Sequence, residues 1–513
     1  MGAVLLIICL SSLYFFIVFI KFINKVWWTP VRIQSRMRSQ GIKGPSYKFI
    51  HGSTKEILKM RNEVWSTPME LSHQIFPRIL PHLHSWIKLH GPNYFLMWYG
   101  TQAQLIVAEP ELIKEILINN KDKAYTKREP AEYPKKLLGD GLVTSRGEKW
   151  SKQRKLANHA FHAESLKGMI PAMIASVSMM LERWRDYQDK EIDVSREFKV
   201  LTSEIISRTA FGSSYLEGED IFNMLTQMVF IISRNQYKVK IPGISKLLKT
   251  RDDIESDQLV QGIRDSVMEI LKKRESNVVK GEANSYQNDL LGILMKAYYE
   301  KDEAQKISLD DLVDECKTFY VAGHETTASL LSWAVLLLAI HTDWQDKVRK
   351  EVLELFGQES PTADTISRLK IMNMIIHESL RLYPPAYQVL RHVKEEVKLG
   401  KHIIPANVDL HISVLAIHHD PQIWGEDVHE FKPERFAEGV AKATNNNMAV
   451  YLPFGLGPRT CVGMNFAITE AKIVLSMILQ RYSFTLSPAY VHSPVPLITL
   501  HPQHGLQVIL RAL

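Results

Sequence analysis

Apolar and polar positions divide this chain into unequal parts. From Gly2 to Ile20 nineteen residues pass without a charge, until Lys21 and Lys25 end the run. That is close to the ~20 residues a helix needs to cross a bilayer core, and Trp27 and Trp28 stand where an interfacial aromatic belt belongs. Beyond residue 45 the pattern becomes that of a folded body. Residues 95–99 and 104–107 read as two strands of a hairpin that turns at Gly100-Thr101. Pro110 opens a helix with Leu112, Ile113, Ile116 and Leu117 at helical spacing. Helical periodicity dominates from Trp150 to about Lys273, broken at 212–218 and at Pro242-Gly243, and 276–288 reads as a polar surface loop. Helices are predicted over 289–299, 309–340, 343–356, 363–382 and 464–482, strand-like segments over 386–415, a polar loop over 437–447 and strand pairs over 497–513. The fold class is mainly α with small β-sheets, preceded by one N-terminal transmembrane helix. The predicted division is a membrane anchor at 1–28, a basic linker at 29–45 and one domain over 46–513.

Charge sharpens the first part of this picture. From Lys21 to Lys55 there are eight Lys and Arg and no acidic residue, more than the +7 of the whole chain. The remainder is close to neutral, so the basic balance belongs to a membrane-proximal segment and no nucleic-acid partner is expected. The positive-inside rule places the body in the cytosol and the N-terminus in the lumen. A cleaved signal peptide is the weaker alternative, because no basic region precedes the apolar run and no small-residue cleavage site follows it. Cys9, Cys316 and Cys461 offer no disulfide framework, and no Cys/His cluster suggests zinc.

Chemistry concentrates in a few short motifs. In Phe454-Gly455-Leu456-Gly457-Pro458-Arg459-Thr460-Cys461-Val462-Gly463, Gly457 and Gly463 suit a positive-φ backbone that approaches a flat partner. Cys461 stands just before a helix N-terminus, which favours a thiolate, with Arg459 as a nearby cation. A lone cysteine is more often inert core, but a chance match to this pattern has a probability on the order of 10⁻⁴. Ser308 and Asp311 form a capping box for a long helix carrying Ala322-Gly323-His324-Glu325-Thr326-Thr327. Positions 319, 322, 323 and 326 share one face of it. Small Ala322 and Gly323 there allow a planar group to approach, and Thr326 beside Glu325 can deliver protons; a core helix with back-bonded threonines is the plainer reading. Glu378 and Arg381 pair at i, i+3 among apolar residues, and Trp150 and Arg154 share a helical face. Lys149, Lys152 and Lys155 fall on the opposite face, either plain solubility or a docking stripe for an acidic electron donor. His418-His419-Asp420 reads as a polar loop, and His159 and His162 as ordinary histidines.

Together these motifs resemble the cytochromes P450, over nearly everything from residue 45 onward. The resemblance makes Cys461 the axial iron ligand of haem b. It also implies a site shaped by Phe454, Gly455, Gly463, Ala322 and Gly323, propionate contacts from Trp150, Arg154, Arg391 and Arg459, and proton delivery by Glu325 and Thr326. Glu378, Arg381 and Arg435, the last within Pro433-Glu434-Arg435-Phe436, would be a structural network. Gln40 to Pro45 and Gly323 to Thr327 are similar to the plant microsomal clan that includes secologanin synthase and cytokinin hydroxylase. The implied enzyme is a monooxygenase of the endoplasmic reticulum membrane, single-pass, with its catalytic domain cytosolic. It would insert one oxygen atom from O₂ into a lipophilic terpenoid, hormone or fatty-acid-like molecule. Electrons would come from NADPH–cytochrome P450 reductase, with cytochrome b5 as a second donor. The alternatives are a peroxide-rearranging enzyme of the same fold, a haem-based sensor, or a membrane scaffold without haem. Pocket positions are expected at 137–142, Phe319, Ala322, 386–390 and 497–499. The proline-rich hinge of many membrane P450s is reduced here to Gly44-Pro45, which implies a less stiff junction between anchor and body.

Overall fold

The computed structural model describes residues 2–91, 94–119, 124–239, 249–280, 289–303 and 305–513. The apolar run forms the helix Gly2–Ile23, with no residue buried. A π-helical turn, Asn24–Trp28, carries it into the helix Thr29–Ser39. The stretch expected as a linker is therefore helical through Ser39, and it is docked. Ile33 and Met37 are buried in the main core, and the Tyr47 hydroxyl donates to the Val26 carbonyl. Gln40 Nε2 donates to the Ile403 carbonyl at 2.9 Å, while Gln40 Oε1 accepts from the Ile403 N–H at 2.6 Å. Val26, Ile33 and Met37 lie on one helical stripe that the count of charges conceals. Nor is the Gly44-Pro45 junction loose. Gly44 lies at φ +147° against Leu96, whose carbonyl oxygen would be 1.9 Å from any Cβ placed there.

The hairpin forms as expected, Tyr94–Tyr99 with Gln102–Val107. It opens a five-stranded sheet that continues with Asp409–Ser413, Gln388–Val393 and Tyr125–Thr126; Gln102–Val107 pairs parallel with Asp409–Ser413 and the other pairs are antiparallel. At the C-terminus, Gln507–Ala512 lies between Glu191–Asp193 and Tyr482–Leu486. Pro494–Pro496 pairs with Leu500–Pro502.

The helix Leu309–Ile340 crosses the middle of the body behind the expected Ser308/Asp311 capping box. It packs along Val194–Ala210, and its apolar window is 83% buried, so it is a core helix rather than a second span. The predicted helix 363–382 is two, Ala363–Ser367 and Lys370–Leu382. The Glu351 carboxylate caps the second, accepting from the N–H groups of Lys370, Ile371 and Met372 at 2.7, 2.8 and 2.9 Å. The helix Arg251–Val279 runs into the predicted polar loop, whose residues 281–288 lie outside the described residues, as does Pro242-Gly243.

His418 and His419 are buried, which corrects the polar-loop reading. Burial pushes His418 and His82 down to about 3 and His411 to about 4. In the unfolded chain histidine takes up its proton below pH ~6.5, whereas these buried rings resist until pH 3–4. Folding stability is thus full above pH ~6.5 and declines as pH falls through that window. The melting temperature should be lower at pH 5 than at pH 7.5, measured at constant ionic strength; an equal value at both would show that these rings titrate normally.

Candidate functional site

The cysteine loop, the middle of Leu309–Ile340, the helix Gly147–Ala160 and the strand Gln388–Val393 meet at one cavity of about 920 Å³. The loop is closed by the Cys461 N–H, which donates to the Phe454 carbonyl at 2.9 Å. Gly457 has φ +76°, and a Cβ there would come within 2.1 Å of the Leu117 carbonyl oxygen. Gly463, expected to need the same conformation, sits at φ −92° as the N-cap of Met464–Arg481, and a Cβ there would meet only Cys461 Sγ, at 4.0 Å. Phe454, Gly455, Arg459, Cys461 and Gly463 all line the cavity.

Cys461 is exposed to the cavity but crowded by protein on its other sides, and that desolvation pushes its thiol above its ordinary value against the pull of the Gly463 N–H and Arg154. The helix N-terminus therefore does not by itself hold a thiolate. A bound metal cation would, since coordination ionises a thiol outright.

From the central helix, Phe319, Ala322, Gly323, Thr326 and Thr327 reach the same cavity, so the face read from periodicity is the one presented. Thr326 Oγ1 donates to the Ala322 carbonyl at 2.8 Å, the back-bonding of the plainer reading, while remaining on the cavity wall. Gly323 has a second reason to lack a side chain. Its Cβ would meet the Ile206 side chain at 2.7 Å, so a side chain there would force Ile206 to shift. Glu325 stands apart from the cavity lining. Burial opposes its ionisation, but His324 and His501 outweigh this and hold the carboxyl well below the usual range. Their Nε2 atoms lie 3.3 and 2.8 Å from its oxygens.

Trp150, Arg154, Arg391 and Arg459 also converge on the cavity. The Arg459 guanidinium lies 4.4 Å over the Trp150 ring and donates to the Ser145 carbonyl at 2.8 Å. Arg154 donates to the Thr460 carbonyl, and Arg391 to that of Leu390 at 3.0 Å. Lys127, which no motif marked, lines the same wall. Burial, then the charges of Arg391 and Arg459, bring it down to about 7. Burial also lowers Arg391 and Arg459 to about 10. Among the described residues none of these four cations forms an ion pair with a carboxylate, whereas neighbouring Arg128 pairs with Asp409 at 3.0 Å. Four cations lacking counter-ions on one wall suit a dianion.

The lysine stripe is not a free docking face. Lys149 pairs with Asp140 and Asp311, and Lys152 donates to the Lys306 carbonyl at 2.8 Å; only Lys155 of the three is exposed. Behind the cysteine loop, Glu378 and Arg381 are fully buried and joined by two 2.7 Å bonds. Arg381 also donates to the carbonyls of His418, Val428 and Glu430 at 3.0, 2.7 and 3.3 Å. All five of its N–H donors are used. Arg435 is the outlying member. It sits 3.5 Å from Glu378 but 2.6 Å from Asp427. His418 extends the network to the loop: Nδ1 donates to the Arg381 carbonyl at 3.2 Å and Nε2 accepts from the Leu452 N–H at 2.9 Å.

A cysteine on one wall, a hydroxyl-bearing helix on another and uncompensated cations at the side fit haem. Its iron takes a sulfur ligand and its two propionates need cations. The class so defined is the haem-thiolate proteins. Residues 78–506 match the family model of cytochrome P450. The chain is 60% identical over 508 residues to cytochrome P450 CYP749A22 of Panax ginseng, covering 98% of this chain and 96% of that protein. It is 41% identical over 506 residues to cytochrome P450 734A1 of Arabidopsis thaliana, covering 97% and 95%. Over 504 residues it is 42% identical to an 11-oxo-beta-amyrin 30-oxidase of Glycyrrhiza uralensis, covering 96% and 95%. This chain belongs to the cytochrome P450 family, on the plant side of it, and is a haem-dependent monooxygenase.

Proposed function

We propose that Cys461 would hold the iron of haem b through its sulfur and that the enzyme inserts one oxygen atom from O₂ into a terpenoid, hormone or fatty-acid-like molecule. NADPH–cytochrome P450 reductase supplies the electrons, with cytochrome b5 as a second donor, at the cytosolic face of the endoplasmic reticulum. The observation that carries this reading is that Cys461 and Thr326 line one cavity. The haem supplies O₂ activation and C–H oxidation.

The chain's own residues do the rest. Trp150, Arg154, Arg391, Arg459 and Lys127 would hold the propionates, and Phe454, Gly455 and Gly463 shape the loop around the sulfur. Ala322 and Gly323 would leave space on the cavity wall for a planar group to approach, and Thr326 Oγ1 would pass protons supplied by Glu325. The substrate-facing wall is largely apolar, with Leu138, Leu142, Ile206, Ile232, Phe319 and Val389 among its members, which excludes water and favours a lipophile. Residues 386–390 contribute as expected, but Leu497, Ile498 and Thr499 do not line the cavity and Pro496 takes their place. The Glycyrrhiza uralensis relative, named for oxidation of 11-oxo-beta-amyrin, supports a terpenoid-sized substrate.

The test uses full-length protein in carbonate-washed membranes with the reductase, NADPH and a plant lipid extract. The protein should stay with the membrane, and one lipophile should gain a single oxygen atom only when NADPH and O₂ are both present. Oxygen insertion without the reductase, or none from any extract with it, would overturn the proposal.

A further inference from the structure

Glu325 occupies the acid position of the helix motif, yet its carboxylate is wedged between two imidazoles rather than turned to the cavity. His324 Nδ1 lies 2.6 Å from the Tyr320 carbonyl. A carbonyl can only accept, so Nδ1 carries the proton of that bond. In a neutral ring Nε2 would then present a lone pair to Glu325 Oε1 at 3.3 Å, which is repulsive. One further proton must lie between the two, on the ring or on the carboxyl. On the other side, His501 Nε2 is 2.8 Å from Glu325 Oε2 and 2.6 Å from Thr499 Oγ1, so this nitrogen too must bear a proton. His324, Glu325 and His501 are each at most 5% exposed. A cluster that keeps an extra proton so deep in the body needs a reason, because burying charge costs several kcal/mol per ion unless it is compensated.

The position of His501 is fixed by the same helix. Ser329 Oγ and Trp333 Nε1 both donate to the Leu500 carbonyl, at 2.5 and 3.0 Å. Thr202 Oγ1 from the helix Val194–Ala210 donates to the His324 carbonyl at 3.1 Å. His501 Nδ1 makes no hydrogen bond among the described residues. One end of the imidazole thus has no hydrogen-bond partner among the described residues and the other lies against Glu325.

We propose that His501, with His324, stores and relays the protons that Glu325 passes to Thr326. This rests on the proposed role of Thr326 at the haem site. In the relay His501 takes a proton from water at Nδ1 and gives its Nε2 proton to Glu325 Oε2. Glu325 turns about its side-chain torsions and gives that proton to Thr326 Oγ1, whose own proton moves into the cavity. One proton enters and one leaves, Glu325 returns to its imidazole partners as a carboxylate, and His501, left protonated at Nδ1 alone, exchanges that proton for one at Nε2 through water before the next turnover. His501 is a positioning residue, since it reaches the reacting atoms only through Glu325.

The variants are His501→Ala and His501→Gln, with Thr326→Ala as reference. Glutamine can donate an N–H to Glu325 but cannot ferry a proton, so it separates holding from relaying. Both His501 variants should keep the carbon monoxide difference band. His501→Gln should melt close to wild type, because its N–H still holds the carboxylate. Both should make roughly tenfold less product per NADPH, the balance appearing as peroxide; this is less than the roughly 10²–10⁴-fold that a directly positioned acid or base supplies, because His501 acts only through Glu325. A larger solvent deuterium effect on that ratio should accompany the loss. Wild-type coupling in His501→Gln would reduce His501 to a structural contact and overturn the relay, leaving the monooxygenase reading intact. Wild-type coupling in Thr326→Ala would instead remove the site assignment on which the relay depends.

Discussion

Cys461→Ser is expected to abolish the red-shifted Soret band of the reduced, carbon monoxide-bound protein and to reduce turnover to background. The band reports sulfur ligation, and a serine hydroxyl does not provide the thiolate that favours O–O cleavage. The protein should still fold. The bond that closes the loop comes from the backbone, the residue 461 N–H to the Phe454 carbonyl at 2.9 Å, and serine keeps it. The loop's tight turns are glycines, Gly455 and Gly457, which the substitution leaves untouched. Far-ultraviolet circular dichroism separates loss of the ligand from loss of the fold. A variant that retained the band with an unaltered spectrum would show that another residue holds the iron.

Arg381→Ala is expected to cost about 3–5 kcal/mol, because it strands a buried carboxylate. Glu378 would keep the Lys432 N–H at 3.0 Å and distant Arg435, too little for a charge that is 0% exposed. Against a total stability of about 5–15 kcal/mol, the yield of haem protein should collapse. A buried ion pair can often be replaced by apolar residues without loss, but here that remedy should fail. Carbonyls of His418, Val428 and Glu430 also depend on Arg381, and an apolar double variant would leave them unpaired. Arg381→Lys keeps the charge and loses the fork, so it should also be unstable. Thermal melting of the carbon monoxide band decides the matter: a double variant as stable as wild type would mean that the carbonyls find other donors.

The sequence disclosed what is local in the chain. The capping box at Ser308 and Asp311, the hairpin at Gly100, and the cavity face of Phe319, Ala322, Gly323 and Thr326 follow from spacings within a few turns, and all are found. Arg381 reads only as half of a pair with Glu378. The three backbone carbonyls it supports come from residues 37 to 49 positions away, and no side-chain pattern marks a carbonyl. Lys127 is not marked by any local pattern, because its meaning comes from Arg391, brought near by the pairing of Tyr125–Thr126 with Gln388–Val393, and from Arg459 on the cysteine loop. His501 is likewise far from Glu325 along the chain, and the strand that delivers it is only three residues long. The lysine stripe failed for the opposite reason. Helical spacing showed which face the lysines share, but not that Asp140 and Asp311 occupy it.

The helix that leaves the apolar run is fastened to the body at Ile33, Met37 and Gln40. A body hung on a slack tether would swivel freely, and each encounter in the plane of the membrane would begin with a search over attitudes. With the apolar run set in a bilayer, anchor and body would turn as one piece. Lateral diffusion would then bring the same face of the molecule towards every neighbour, and the tilt of the body would follow that of its anchor. Because a helix can tilt to match the hydrocarbon thickness around it, the thickness of the bilayer would become a setting for how the enzyme leans.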